Sequence, residues 1–111
     1  MNTSPEIIFN LLPNLDKQGK DVITHACEFA EKAHEKQVRK SGEPYYNHVF
    51  QTGINLAELN MDADTIAAGI LHDVLEDTPI TEEEMRKEFG DHIVKLVNGV
   101  TKLGKVRYSG A

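Results

Sequence analysis

The stretch Leu71-His72-Asp73-Val74-Leu75-Glu76-Asp77-Thr78 places an imidazole and three carboxylates within six residues, and Pro79 closes it. On a helix turning about 100° per residue, Ile70, Leu71, Val74 and Leu75 fill one arc. His72, Asp73, Glu76 and Asp77 fill the opposite arc, with His72/Glu76 and Asp73/Asp77 as i,i+4 pairs. The spacing thus crowds the charged groups into the last turns of a helix. The helix dipole is already negative there, and each exposed acid costs roughly 0.3–1 kcal/mol. A bound cation, basic side chains or water must offset them. The competing reading is a solvated acidic face that also carries a histidine.

Adjacent His72 and Asp73 offer one nitrogen ligand and one hard oxygen ligand. They point about 100° apart on a helix, so a shared ion needs bent geometry and a third ligand from another helix. His48 is the natural choice. It lies 24 residues upstream, on a helix antiparallel to this one across a short turn. Mixed imidazole and carboxylate ligation suits Mn²⁺, Fe²⁺ or Zn²⁺ better than Mg²⁺ or Ca²⁺. Such an ion polarises phosphate oxygens and lowers the pKa of water. Glu76 and Asp77, one turn on, could then orient that water or shuttle protons. The chemistry this set fits is hydrolysis of a phosphoester or pyrophosphate. No acid follows Asp91, so the ligand set is expected to be incomplete unless another chain contributes.

A second candidate is Arg39-Lys40-Ser41-Gly42-Glu43-Pro44, a basic loop carrying a hydroxyl. It suits contact with a phosphate or nucleotide, and it also resembles an ordinary surface loop.

Around these residues, 111 positions allow one small domain with a modest core. Hydrophobic residues at 40% and charged residues at 27% indicate a globular chain rather than a disordered one. A net charge of −6 argues against general nucleic-acid binding and against anionic membrane surfaces. All 18 acids precede His92, and the remainder carries Lys95, Lys102, Lys105 and Arg107. No apolar run approaches the ~18 residues of a membrane span, and no signal-peptide pattern opens the chain. The single cysteine excludes an internal disulfide and suits a reducing cytoplasm.

The expected elements are helical. Ser4-Pro5-Glu6 reads as a helix start, followed by the apolar Ile7, Ile8, Leu11 and Leu12. Pro13 to Lys20 reads as a loop. A helix is expected from about Asp21 to Gln37, with Val22, Ala26, Phe29, Ala30 and Ala33 in register. Cys27 beside that stripe reads as a packed thiol, and His25, His34 and His92 as ordinary histidines. Tyr45 to Leu59 and Ala63 to Asp77 form the next two helices, joined by Asn60-Met61-Asp62. Val49, Gly53 and Ala57 are small enough for close packing. Thr81 and Glu84 fit a capping box, and that helix stops at Gly90. Asp91 is placed to cap a sixth helix, whose pattern fades after Thr101 through Gly104 and Ser109-Gly110. With no period-2 segment, the class is all-α.

Three segments together resemble the N-terminal HD hydrolase domain of the RelA/SpoT family of alarmone enzymes. They are Arg39 to His48, Ala67 to Thr78, and Phe89-Gly90 with Val97-Asn98-Gly99-Val100-Thr101-Lys102-Leu103. The likeness runs from about Asp21 onward in the family's order and spacing. It implies an incomplete HD-type bundle of about five to six helices, with residues 1–20 as an N-terminal helix and loop and 21–111 as the truncated hydrolase domain. It implies removal of the 3′-pyrophosphate from ppGpp or pppGpp with Mn²⁺. By motif position, His48, His72 and Asp73 are expected to hold metal. Glu76 and Asp77 are expected to act on water, and Arg39, Lys40 and Ser41 to contact the nucleotide. The intact Glu76-Asp77 pair fits a hydrolase-competent parent, which could also be a GTP pyrophosphokinase. The family's last metal-ligand Asp falls beyond this chain. Two alternatives stand beside this: a catalytically incomplete piece that only binds nucleotide or self-associates, and a different HD phosphohydrolase.

Overall fold

Buried Ile66 to Leu71, together with Asp73 and Val74, makes the helix Ala63–Asp77 the centre of the molecule. The structure, a computed structural model, describes the backbone of residues 1–109 and the side chains of residues 1–100. Its helices are α1 (Glu6–Asn10), α2 (Lys17–Ala33), α3 (Tyr45–Glu58), α4 (Ala63–Asp77) and α5 (Glu82–Ser109). α4 packs against α2, α3 and α5, and α1 packs against α3. Among the described residues the extended pairing is a single bridge, Val38 to Pro44. The all-α expectation therefore holds, and α4 keeps its expected bounds. No helix among the described residues is long and apolar enough to cross a membrane.

Helix ends follow their caps. The Asp62 carboxylate accepts from the Thr65 N–H at 2.8 Å and opens α4. The Asp16 carboxylate accepts from the Gly19 N–H at 2.7 Å, so α2 begins at Lys17. This corrects the expected loop over 13–20. At the other end α2 stops at Ala33 with His34 as its cap, short of Gln37. The Gln37 N–H donates to the His34 carbonyl at 2.9 Å, and the chain turns out of the helix there. The capping box forms as expected, the Glu84 N–H donating to Thr81 Oγ at 3.1 Å. Gly90 has φ +87° and ψ 168°, outside helical geometry, so α5 consists of two helical stretches that meet at a break there, as the expected stop at Gly90 requires. The Asp91 side chain is engaged by Arg86 Nε at 2.6 Å. The backbone stays helical from Thr101 to Ser109, whereas Gly110 lies outside the described residues.

Small residues let α3 approach α4. A Cβ on Gly53 would lie 3.0 Å from both Cγ1 and Cδ1 of Ile70 and 3.1 Å from Cδ1 of Ile8. Val49, Gly53 and Ala57 are all buried on this face. Cys27 is 3% exposed, and burial pushes its thiol up to about 11, so it is packed rather than reactive. The close approach predicts that Gly53→Val overpacks the α1–α3–α4 contact and lowers stability by about 1–3 kcal/mol. Urea denaturation at neutral pH measures it; an unchanged midpoint would show that Ile70 and Ile8 simply move aside.

Candidate functional site

The carboxyl end of α4 holds its charges through specific partners. His72 Nδ1 lies 2.6 Å from the Gly69 carbonyl, and a carbonyl only accepts, so Nδ1 carries a proton. His72 Nε2 faces Asp73 Oδ1 at 3.0 Å. In neutral imidazole that nitrogen presents a lone pair, so two acceptors meet head-on. A proton or a metal cation must sit between them. The His72 pKa is raised, chiefly by the hydrogen bond to Asp73 and against the effect of burial. Burial pushes the Asp73 carboxyl up, yet His72, Tyr45 and the nearby His48 together hold it below the usual range. At 9% exposure, Asp73 is a buried acid that needs such partners.

Tyr45, in the first turn of α3, reaches across to these acids. Its hydroxyl donates to Asp73 Oδ2 at 3.0 Å and lies 3.3 Å from Asp77 Oδ2. Burial first, then the two carboxylates, raises its pKa, so the phenol keeps its proton. Asp77 is exposed, as is Glu76, whose charge helps raise His72.

The basic loop is built as a closed turn. The Arg39 N–H donates to the Glu43 carbonyl, the Gly42 N–H to the Arg39 carbonyl, both at 2.8 Å, and Tyr45 N–H to the Gln37 carbonyl at 2.9 Å. Gly42 takes φ +88°, which suits glycine. Gln37 ties the turn to α4: its Nε2 donates to the Asp77 carbonyl at 2.6 Å. Its Oε1 is 2.9 Å from Nδ1 of His34, which is 1% exposed and whose Nε2 has no partner. Arg39, Lys40, Ser41, Glu43 and Tyr45 line an open cleft of about 600 Å³, which Tyr45 joins to the acids of α4.

The structure thus gathers Arg39, Lys40 and Ser41 on one cleft with Tyr45, and Tyr45 and Gln37 tie the two ends of that turn to Asp73 and Asp77. It does not turn His48 onto the His72–Asp73 pair. His48 Nδ1 lies 3.2 Å from an Arg39 guanidinium nitrogen, with the Tyr45 ring 5.6 Å away. Among the described residues, no three His, Cys, Asp or Glu side chains are gathered to hold a metal ion. The donor chemistry at His72 and Asp73 still fits one, because a nitrogen and a carboxylate oxygen 3.0 Å apart can share a metal cation in place of the proton. His25 and His92 are tied elsewhere, to Glu88 at 2.9 Å and Asp64 at 3.3 Å. Sequence reasoning missed Tyr45, Gln37 and His34, whose roles lie in contacts between elements that periodicity does not encode.

An HD domain family model matches residues 26–110. The chain belongs to the HD domain family. Within it, the RelA/SpoT resemblance holds in the curated relatives. A guanosine-3′,5′-bis(diphosphate) 3′-pyrophosphohydrolase of Aquifex aeolicus is 50% identical over 91 residues, covering 82% of this chain and 13% of that protein. A GTP pyrophosphokinase of Streptomyces coelicolor is 44% identical over 99 residues, 89% of this chain and 12% of that protein. The bifunctional (p)ppGpp synthase/hydrolase SpoT of Escherichia coli is 47% identical over 86 residues, 78% and 12% respectively. The chain thus spans about an eighth of the length of the relatives it matches.

The His72–Asp73 pair gives metal-free protein a pH signature. A depressed Asp73 pKa stabilises the fold above the ordinary carboxylate pKa, and this is lost as pH falls through the lower folded value. A raised His72 pKa stabilises it fully below the ordinary imidazole pKa, and this is lost as pH rises through the higher folded value. In chelator, the stability gap between wild type and Asp73→Asn should be widest between about pH 4 and about pH 6.5. Denaturation across pH measures it; a gap that does not vary would contradict the pairing.

Proposed function

We propose that this chain is the hydrolase part of a protein that removes the 3′-pyrophosphate from guanosine 3′,5′-bis(diphosphate) or its 5′-triphosphate analogue. The observation that carries the reading is the His72 Nε2–Asp73 Oδ1 pair at 3.0 Å, beside a basic cleft of about 600 Å³. Relatives named for this hydrolysis, 50% and 47% identical, support the substrate class. His72, Asp73 and His48 would hold a divalent cation, and the nitrogen and oxygen donors suit Mn²⁺. When bound, that cation supplies charge against the phosphate oxygens and acidifies water.

The chain's own residues do the rest. Arg39 and Lys40 attract the phosphates, and the guanidinium plane also suits a guanine face. Ser41 adds a hydroxyl to the same loop. Tyr45 pins one oxygen of Asp77, leaving the other to accept from water. Glu76 or Asp77 takes a proton as the water oxygen joins the 3′-linked phosphorus; the bond from that phosphorus to the ribose 3′-oxygen breaks, the 3′-oxygen takes up a proton to become a hydroxyl, and pyrophosphate leaves. The cytoplasm, where guanine nucleotides are made, is the matching location. The relative named GTP pyrophosphokinase shares this segment, so nucleotide pyrophosphorylation would be a second activity of the whole protein. The absence of a gathered three-ligand cluster among the described residues favours one second reading. In it, the isolated chain binds nucleotide or another copy without turnover.

Pyrophosphate release by the natural full-length protein, supplied with Mn²⁺, tests the proposal. The bisdiphosphate should be cleaved and a cyclic dinucleotide left intact, with the double variant Glu76→Gln/Asp77→Asn lowering kcat by roughly 10²–10⁴-fold. Cleavage of the cyclic dinucleotide alone, or full activity in that double variant, would overturn it.

A further inference from the structure

The contact between Arg39 and His48 sets a condition on metal entry. An arginine side chain only donates, so the 3.2 Å contact makes His48 Nδ1 the acceptor and leaves the ring proton on Nε2. Neutral imidazole has one lone pair in the ring plane to give. If Arg39 holds it through Nδ1, Nε2 carries hydrogen and cannot ligate. If a metal takes Nε2, the proton moves to Nδ1 and opposes the guanidinium. If a metal takes Nδ1, it displaces Arg39 directly. Every ligating state of His48 therefore breaks the contact.

We infer that Arg39 and the metal compete for the lone pair of His48, so that metal loading releases Arg39 to the nucleotide cleft. The inference rests on reading His48 as a metal ligand. The backbone suits such an exchange. The Arg39 amide and carbonyl are both fixed in the 39–43 turn, so only the side chain needs to swing. Arg39 lines the cleft as well as touching His48, and both residues are exposed. An anion in the cleft that draws Arg39 away favours metal at His48, and metal favours Arg39 in the cleft by the same factor. Metal and nucleotide thus reinforce each other through one side chain.

Calorimetric titration of the chain with Mn²⁺ alone tests this as a double-mutant cycle. His48 is exposed, so His48→Ala leaves the core intact. Arg39→Gln should tighten Mn²⁺ by about 2–10-fold, the range a lost competing hydrogen bond allows. Lys40→Gln, which removes a neighbouring charge without touching His48, should tighten it less. The gain should vanish when His48→Ala is added to Arg39→Gln. A gain that survives in the double variant, or one that Lys40→Gln equals, would overturn the competition and show simple charge repulsion. If His48→Ala leaves affinity unchanged while His72→Ala abolishes binding, His48 is not a ligand, and both the reading and the inference fall. Failure of all forms to bind Mn²⁺ would remove the metal reading and the inference with it.

Discussion

Negative charge at the carboxyl end of a buried helix is the constraint on which this molecule turns. α4 is surrounded by α2, α3 and α5, yet it ends in acids where its own dipole is negative. Asp73 cannot be solvated as an exposed acid would be. Its oxygens are met instead by His72 Nε2 at 3.0 Å and the Tyr45 hydroxyl at 3.0 Å. The neighbouring His72 is fixed in turn by the Gly69 carbonyl at 2.6 Å. The partners come from α4 itself, through His72, and from α3, through Tyr45, so the packing of α3 on α4 and the electrostatics of the site form one problem.

That coupling explains why a loop of modest length can act with a helix end. Gln37 holds the Asp77 carbonyl, and Tyr45 holds the Asp73 and Asp77 side chains. Between these two attachments the chain closes into the turn that carries Arg39, Lys40 and Ser41. The basic groups that would meet phosphates are thereby kept beside the acids that would act on water. Buried His34 supports Gln37 from behind.

Much of this was legible in the sequence. Periodicity and the Asp62 and Pro79 boundaries gave α4 its correct limits, and the small residues of α3 marked its close face. The clustering of His72, Asp73, Glu76 and Asp77 pointed to the site, and the motif order pointed to the HD family that the comparison bears out. The limits of α2 were misplaced because Asp16 caps the helix six positions before the apolar stripe begins at Val22, while the turn at His34 is set by contacts with Gln37. The Tyr45 bridge and the Arg39–His48 contact were hidden for a shared reason. Both join residues whose proximity depends on how a loop folds back, which no spacing along one helix reports.

The central claim is that facing lone pairs on His72 and Asp73 make the end of α4 a cation site. Mn²⁺-induced broadening of side-chain NMR signals tests it most directly, with wild type compared against His72→Ala. The account predicts that trace Mn²⁺ selectively broadens His72, Asp73 and Tyr45, and that the effect is lost in His72→Ala. Equal broadening in both proteins, or broadening centred on the acids of residues 82–84, would contradict it.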